Sequence, residues 1–405
     1  MTLSEELQWR GFVNQTTFPD IAALDESTRT FYWGVDPSAS SMTIGNFAPA
    51  MMIRHFIAHG YKPILLVGGA TGLIGDPDGK KQERDLKTPE EVQKNVDGLV
   101  AQYHQIFNGE QFEIVNNYDW FKDMKFLDFL REIGKNVSLT QMLDRDFIKA
   151  RIGEGGSGIS YAEFSYALIQ GYDFLHLFRE KGATLQIAGA DQWGNSITGV
   201  DLIRRLEGAE SHVFTTPLIV NKATGVKFGK SEGGAVWLDA ERTSPYQFYQ
   251  FWLNIDDEFA KDLIKKYTML GREQIEQAIV AHDQAPHERQ LQRRLADEVT
   301  RIVHGDERLQ SIKMILGVLF DGTNLADLTS DDIDALAREI PTVQAGIAIT
   351  DALQAAGYAE SNGSARRLIA GGGVKLNGEK ATNEAIVLPP KSLIKVGKNK
   401  FIFVR

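Results

Sequence analysis

Residues 31–67 read FYWGVDPSASSMTIGNFAPAMMIRHFIAHGYKPILLV. A short apolar run (31–35) gives way to a Ser/Thr-rich turn, a helix-period stretch (48–59) and a second apolar run (63–67). Strand, helix and strand in immediate succession form the unit from which parallel sheets are built. Outward from this unit the pattern repeats. Further apolar runs occur at 112–115, 184–187 and 217–220, and helix-period segments at 89–107, 161–179 and 192–206. The alternation predicts a Rossmann-like α/β domain whose parallel sheet is covered on both faces. Ligands of such sheets sit beyond the carboxyl ends of the strands, so the chemistry belongs in the loops that follow them.

Composition narrows the chemistry. The chain has 405 residues, 43% apolar and 24% charged, which is ample for two or three globular domains. It contains no cysteine, which removes disulfides, thiolate nucleophiles and Cys-based metal sites. The start, MTLSEELQWRGF, lacks a basic region followed by an apolar run, and no run of about 18 apolar residues follows. We therefore expect a soluble, cytoplasmic protein with no signal peptide and no membrane partner.

From residue 244 to about 338 the strand signal vanishes. The segment is charged, helix-period sequence broken at Gly271, Pro286, Gly305 and Gly322. After Pro341 the character changes again. A helical part (345–370) leads into GGGVKLNGEKAT, where Asn377-Gly378 is a two-residue hairpin signal, and then into short strands over 388–405. The expected division is 1–225, catalytic; 226–335, an all-α segment; and 341–405, a small α+β module. The net charge of −10 hides an asymmetry. Residues 360–405 hold nine basic and three acidic side chains, a surplus of +6, which leaves −16 elsewhere. A basic module on an acidic body fits RNA binding, although a solvated lysine-rich surface has the same composition.

Several motifs fail on context. Gly153–Gly158 matches G-x-G-x-x-G but follows a charged helical stretch, not a strand, so it reads as a loop. GGATGLIGDPDGKK has no glycine five residues before Gly79 and is not a Walker loop. His55 and His59 lie one helical turn apart without a third ligand in view, as ordinary surface or core histidines do. No serine sits in a G-x-S-x-G elbow.

The helix at 161–179 is apolar nearly all round, the mark of a buried helix, yet Tyr166, Gln170 and Asp173 share one stripe. Burying a phenol, an amide and a carboxylate requires partners. Backbone groups or the three residues themselves would satisfy them; so would a ligand carrying an ammonium and a hydroxyl. Two other segments matter by their order in the chain. PSASSMTIGN (37–46) follows the first strand and opens a helix, where N–H groups and the helix dipole favour phosphate. KFGKS (227–231) places two lysines three apart after the last expected strand.

Together these blocks resemble the bacterial tyrosyl-tRNA synthetases, class I enzymes, over essentially the whole chain. FYWGVDPSASSMTIGN resembles the first class I signature (His-Ile-Gly-His type) and KFGKS the second (Lys-Met-Ser-Lys-Ser type). VGGATGLIGDPDGKK, EFSYALIQGYDF, QIAGADQWGN and TSPYQFYQFWLN are similarly family-like, and ARRLIAGGGVKLNGEK resembles an S4-type RNA-binding core.

The resemblance implies a ligase that activates L-tyrosine with ATP, releases pyrophosphate, and passes the tyrosyl group to the terminal ribose of tRNA(Tyr). It implies a homodimer, ATP as a substrate delivered with Mg2+, no permanently bound cofactor and no protein metal site. Lys227, Lys230, Ser231, Thr43, Asn46, Lys80 and Arg84 would serve catalysis around the phosphates. Tyr32, Asp76, Tyr166, Gln170, Asp173 and Gln192 would bind tyrosine, with Tyr32 and Asp173 at its hydroxyl. Gly34, Asp36, Ser38, Thr43, Gly45, Asn46, Asp191 and Lys230 would bind ATP. Arg366, Arg367 and Lys375 would bind RNA, and the middle segment would hold the lysine loop and helices for the anticodon stem. The sequence departs from the family pattern at Thr43 and Asn46, which replace the two signature histidines, and at Trp33, where a small residue is usual. A tryptophan-specific relative, an inactive S4-type RNA-binding protein and a nucleotide-dependent oxidoreductase are the alternative classes. The first needs no hydroxyl clamp, the second no lysine pair, and the third needs its glycine motif after a strand.

Overall fold

The computed structural model describes residues 1–77, 86–144, 146–220, 228–231 and 234–405, with residues 141, 146, 147, 230 and 231 described by backbone alone. The chain forms two compact units, 1–243 with 251–303, and 244–250 with 304–405. The middle segment expected from the sequence is thus shared between them. The dividing point falls beside Gly305, whose φ of 83° interrupts the helix Gln290–Leu316.

The first unit is built on a six-stranded sheet. In chain order its elements include α1 (Leu3–Arg10), β1 (Gln15–Thr16), β2 (Thr30–Val35), α2 (Ile44–Ala58), β3 (Lys62–Val67), α3 (Gly69–Ile74), α4 (Pro89–Ile106) and β4 (Glu113–Asn116). They continue with α5 (Tyr161–Lys181), β5 (Ala183–Gly189), α6 (Trp193–Glu207), β6 (His212–Thr216), β7 (Lys230–Ser231), β8 (Gly234–Ala235) and α7 (Asp257–Tyr267). The strand order is β1-β6-β5-β2-β3-β4, parallel throughout except for β1 at the edge.

The expected parallel α/β domain is present, with two differences. The last parallel strand is His212–Thr216, not 217–220: HVFTT is wholly buried against β5, and Pro217 lacks the N–H that a central strand needs. A two-residue antiparallel edge, β1, is too short to leave a period-2 pattern in the sequence. The glycine motif at 153–158 lies between the helix Asp146–Ile152 and α5 and follows no strand.

Because β3 and β4 lie on one side of β2 and β5 and β6 on the other, the sheet reverses direction between β2 and β5. That reversal opens a crevice at the carboxyl ends of these two strands. Arg10, buried at the end of α1, fixes the outer helices. It donates to the carbonyls of Lys265 (2.6 Å) in the last turn of α7 and of Thr268 (3.1 Å) and Leu270 (2.7 Å) just beyond it. Its Nε bonds Glu6, the partner of His55 and His59. The bond from His55 and the guanidinium of Arg10 hold the Glu6 carboxyl down at about 2. The two histidines thus share a carboxylate inside the fold.

The second unit contains α8 (Ser330–Glu339), α9 (Ile349–Ala355), α10 (Asn362–Ala370) and a five-stranded sheet. Its strands are β9 (Thr342–Val343), β10 (Val374–Leu376), β11 (Glu379–Lys380), β12 (Ser392–Val396) and β13 (Lys400–Val404). Asn377 (φ 49°) and Gly378 (φ 89°) make the expected tight turn between β10 and β11. Leu336 of α8 packs with Phe401 and Phe403 of β13, so α8 shares a core with the terminal sheet. Among the described residues no helix is long and apolar enough to cross a membrane.

Candidate active site

The crevice between β2 and β5 opens into a cavity of about 290 Å³. It is lined by the loops after β2, β3, β5 and β6 and by one face of α5. Tyr32, Gly34, Asp36, Ser38, Thr43, Gly45, Asn46, Asp76, Tyr166, Gln170, Asp173, Asp191 and Gln192 all face it. Every residue that the resemblance assigns to tyrosine, and every one that it assigns to ATP except Lys230, is therefore brought together here. Lys80, Arg84 and Lys227 lie outside the described residues. Lys230 and Ser231 are described in backbone, in β7.

At the closed end Tyr32 and Asp173 are each only 2% exposed. β2 runs between β3 and β5, which puts Tyr32 level with Ile64 and Gln186 and against Phe174 of α5. One Asp173 oxygen accepts from Asn117 Nδ2 (3.1 Å), the other from Trp120 Nε1 (2.9 Å). Trp120 is itself stacked on His176 at 4.4 Å. Both donors favour the carboxylate, but burial outweighs them and pushes the Asp173 carboxyl up to about 8. Burial, and then the nearness of Asp173, keep the Tyr32 phenol protonated far above its ordinary range.

A chain of hydrogen bonds leads away from this pair. Asn117 Nδ2 also donates to Thr71 Oγ1 (3.1 Å), Thr71 donates to Asp36 (2.6 Å), and Tyr166 Oη donates to the other Asp36 oxygen (2.8 Å). Asp36, which the resemblance gives to the nucleotide, is thus bonded to the tyrosine group of residues. A Cβ at Gly68 would fall 2.2 Å from Thr71 Oγ1 and 2.3 Å from Asp36 Oδ1, so only glycine leaves room for this bond. Gln192 Nε2 donates to Asp76 at 2.6 Å. Three buried oxygens that face the cavity have no partner among the described residues: Tyr32 Oη, Gln170 Oε1 and Gln186 Oε1. Unpartnered buried oxygens are costly and point to a polar ligand.

The open end is formed by the first turn of α2. Thr43 and Asn46 bond to each other, and Ile44 N–H donates to Val236 O (3.1 Å), so that N–H is not offered to a phosphate. Trp33 packs on Tyr103 and Phe107 of the α4 region while still lining the cavity. The described part of the second signature is anchored close by. The Phe228 ring lies among Phe251, Trp252, Phe259 and Tyr267, with centroids 5.1–5.9 Å away. Tyr267 Oη in turn donates to Ile44 O at 2.9 Å. Leu238 N–H donates to Met42 O, so the strands after this loop and before α2 run side by side.

Sequence reasoning missed Asn117, Trp120, Thr71 and Gln186. Their signal was positional: NNYDW follows the run at 112–115, and Gln186 is a polar residue inside an otherwise apolar strand. Arg366, Arg367 and Lys375 lie in the second unit, exposed on α10 and β10, with Arg366 3.0 Å from Glu384.

A parallel sheet with its cavity at the reversal point, a helix opening at its rim and a separate basic α+β module have the plan of an α/β nucleotide-binding protein with an appended small domain. Residues 25–320 match the family of tRNA synthetases class I (W and Y), and residues 351–393 match the S4 domain. The chain is 44% identical to tyrosine--tRNA ligase 2 of Bacillus cereus over 95% of its length and 93% of that protein. It is 42% identical to the tyrosine--tRNA ligase of Pediococcus pentosaceus over the full length of both. The structure of a C-terminally truncated mitochondrial tyrosyl-tRNA synthetase from Aspergillus nidulans superimposes with a TM-score of 0.70 at 28% identity, covering 77% of this chain and 92% of that one. The chain belongs to the class I tRNA synthetase family, in its tyrosine--tRNA ligase branch.

The raised Asp173 group has a consequence for stability. In the folded protein burial pushes the Asp173 carboxyl up to about 8 from its ordinary 3.8. The folded state then binds one more proton than the unfolded chain across that window, so this contribution to stability falls as pH rises through it. Asp173→Asn removes the titration. Urea unfolding of the unliganded protein from about pH 5 to about pH 8 is expected to show a shallower decline in the variant. Parallel declines would mean that Asp173 is ionised in the empty site.

Proposed function

We infer that the chain is a tyrosine--tRNA ligase that forms tyrosyl-adenylate in the cavity between β2 and β5 and then charges tRNA. The observation that carries the amino-acid choice is the buried Tyr32–Asp173 pair with Tyr32 Oη unpartnered. A substrate phenol placed between them donates to Asp173 and accepts from Tyr32. A site built for a hydroxyl rejects an analogue lacking it, because buried polar groups would be left without partners; tyrosyl-tRNA synthetases are themselves the usual illustration of this rule.

Four acidic side chains line the cavity, Asp36, Asp76, Asp173 and Asp191, of which burial holds the Asp173 carboxyl neutral up to about 8, and no cation lines it among the described residues. This favours a cationic group, and Asp76, Tyr166 and Gln170 are proposed to receive the tyrosine ammonium, with Gln186 Oε1 as a further acceptor. The tyrosine carboxylate then points toward α2. Its oxygen attacks the α-phosphorus of ATP while the bond to the β-phosphate oxygen breaks and pyrophosphate leaves. No protein nucleophile is required. The protein supplies position and charge. The positive charge is proposed to come from Lys80, Arg84, Lys227 and Lys230, with Ser231 as a donor. ATP enters with Mg2+ on its phosphate oxygens. Gly34, Ser38, Gly45, Asn46, Asp191 and Gln192 are proposed to seat the nucleotide and the adenylate.

The localisation that fits this role is the cytoplasm. Homodimerisation is proposed as well. Phe126, Leu127, Leu139 and Tyr161 are 60–70% exposed, large apolar side chains in the segment that leads into the first residue of α5, and they suit a second copy. Sedimentation equilibrium at micromolar concentration is expected to give twice the chain mass, and Phe126→Asp with Leu127→Asp the chain mass. A wild-type monomer would overturn this assignment.

Tyrosine, and neither phenylalanine nor tryptophan, is expected to drive ATP–pyrophosphate exchange. Asp173→Ala is expected to abolish it; unimpaired exchange in that variant would remove Asp173 from the site.

The basic module is proposed to serve tRNA. Deleting everything after about residue 340 would strip Leu336 of its Phe401 and Phe403 contacts, so charge reversal is the cleaner test. Changing Arg366, Arg367 and Lys375 together to Glu is expected to leave pyrophosphate exchange intact and to weaken tRNA charging. The loss should shrink at high salt, as phosphate contacts do. Undiminished charging at low salt would mean that these residues are only a solvated surface.

A further inference from the structure

The first turn of α2 holds both departures from the signature pattern, and they are bonded to each other. Asn46 Oδ1 accepts the backbone N–H of Thr43 and the Thr43 hydroxyl, both at 3.1 Å. A backbone N–H can only donate, so the end of the Asn46 amide that faces Thr43 is its oxygen, and Nδ2 with its two N–H groups is turned the other way. The single Thr43 hydroxyl proton points at Asn46, so it is not offered to a substrate oxygen. Both side chains line the cavity. The turn beneath them is held from two directions, Ile44 N–H on Val236 O and Ile44 O under Tyr267 Oη.

We propose that Thr43 is a positioning residue whose two bonds orient Asn46, so that Asn46 Nδ2 is the one side-chain donor that this turn presents to ATP. The inference rests on the reading that the cavity activates tyrosine with ATP. Two histidines at these positions would act as two separate donors; Thr43 and Asn46 act as one donor and its brace. A plain helix cap makes similar bonds, but it accounts only for stability. The coupling of the pair in the rate is what separates the two roles.

The test uses full-length Thr43→Ala, Thr43→Ser, Asn46→Ala and the Thr43→Ala/Asn46→Ala double variant. Tyrosine-dependent ATP–pyrophosphate exchange is measured for each, together with its melting temperature. Loss of the donor in Asn46→Ala is expected to lower kcat on the order of 10²-fold, and loss of its orientation in Thr43→Ala about 10-fold. Thr43→Ser keeps the hydroxyl and should restore the rate. The double variant should be no slower than Asn46→Ala alone, and KM for tyrosine should stay at the wild-type value throughout. Losses that multiply in the double variant would overturn the proposal, because Thr43 would then meet ATP independently. A Thr43→Ala variant with lowered melting temperature and wild-type kcat would also overturn it, leaving only a cap. A wild type without tyrosine-dependent exchange would instead overturn the functional reading, and this inference with it.

Discussion

The site depends on keeping the Asp173 carboxyl group where water does not reach. Isolated, such a group is costly to bury, and here Asn117 and Trp120 each supply a donor to one of its oxygens. Asn117 does more than that. Through Thr71 and Asp36 it connects Asp173 to Tyr166, so one hydrogen-bonded chain joins the ends of β4, β3 and β2 to two positions on α5. The spacing of the parallel strands therefore sets the spacing of the polar groups that meet the ligand. A shift of any one strand would break a buried bond as well as a ladder pair.

The fold was legible where pattern and physics coincide. A buried parallel strand must be a continuous apolar run, and the runs at 31–35, 63–67, 112–115 and 184–187 lie within a residue or two of β2, β3, β4 and β5. The last strand was misplaced because HVFTT mixes a histidine and two threonines with its apolar residues, whereas the adjacent PLIV is more apolar. Tertiary context decided: His212 stacks on Phe18 at 3.9 Å, and Thr215 Oγ1 bonds the backbone of β1. β1 pairs through backbone groups, which every sequence carries, and so left no trace. The share of the middle helices that falls in each unit was likewise not readable, because a glycine break looks the same whether it bends a helix or divides a domain.

The site was legible in part for a different reason. A polar stripe on an apolar helix is anomalous, and Tyr166, Gln170 and Asp173 stood out on that ground alone. Asn117 and Trp120 did not, since an asparagine and a tryptophan in a loop are ordinary until the loop is known to return to that helix. Tyr32 was recognised through resemblance, not through its place in the strand. Gln186, its neighbour across the sheet, opens the QIAGADQWGN block, but its place in the cavity is visible only once β2 and β5 are paired.

The two substrates impose opposite electrostatic demands on one cavity. An ammonium is welcome among the cavity's acidic side chains, and a triphosphate is not. The two demands fall on different residues. The acidic groups are spread over the cavity wall, with Asp173 buried at its closed end on α5, Asp36 and Asp76 half-buried and Asp191 exposed. The positive charge for the phosphates is proposed to come from Lys80, Arg84, Lys227 and Lys230. The Thr43–Asn46 pair lines the cavity at the first turn of α2. It is uncharged, so it disturbs neither field, and its bonding commits one amide donor to the nucleotide side without bringing a cation next to the ammonium. A histidine at either position would carry a charge that varies with pH at the point where the two fields meet; a threonine and an asparagine remove that variable.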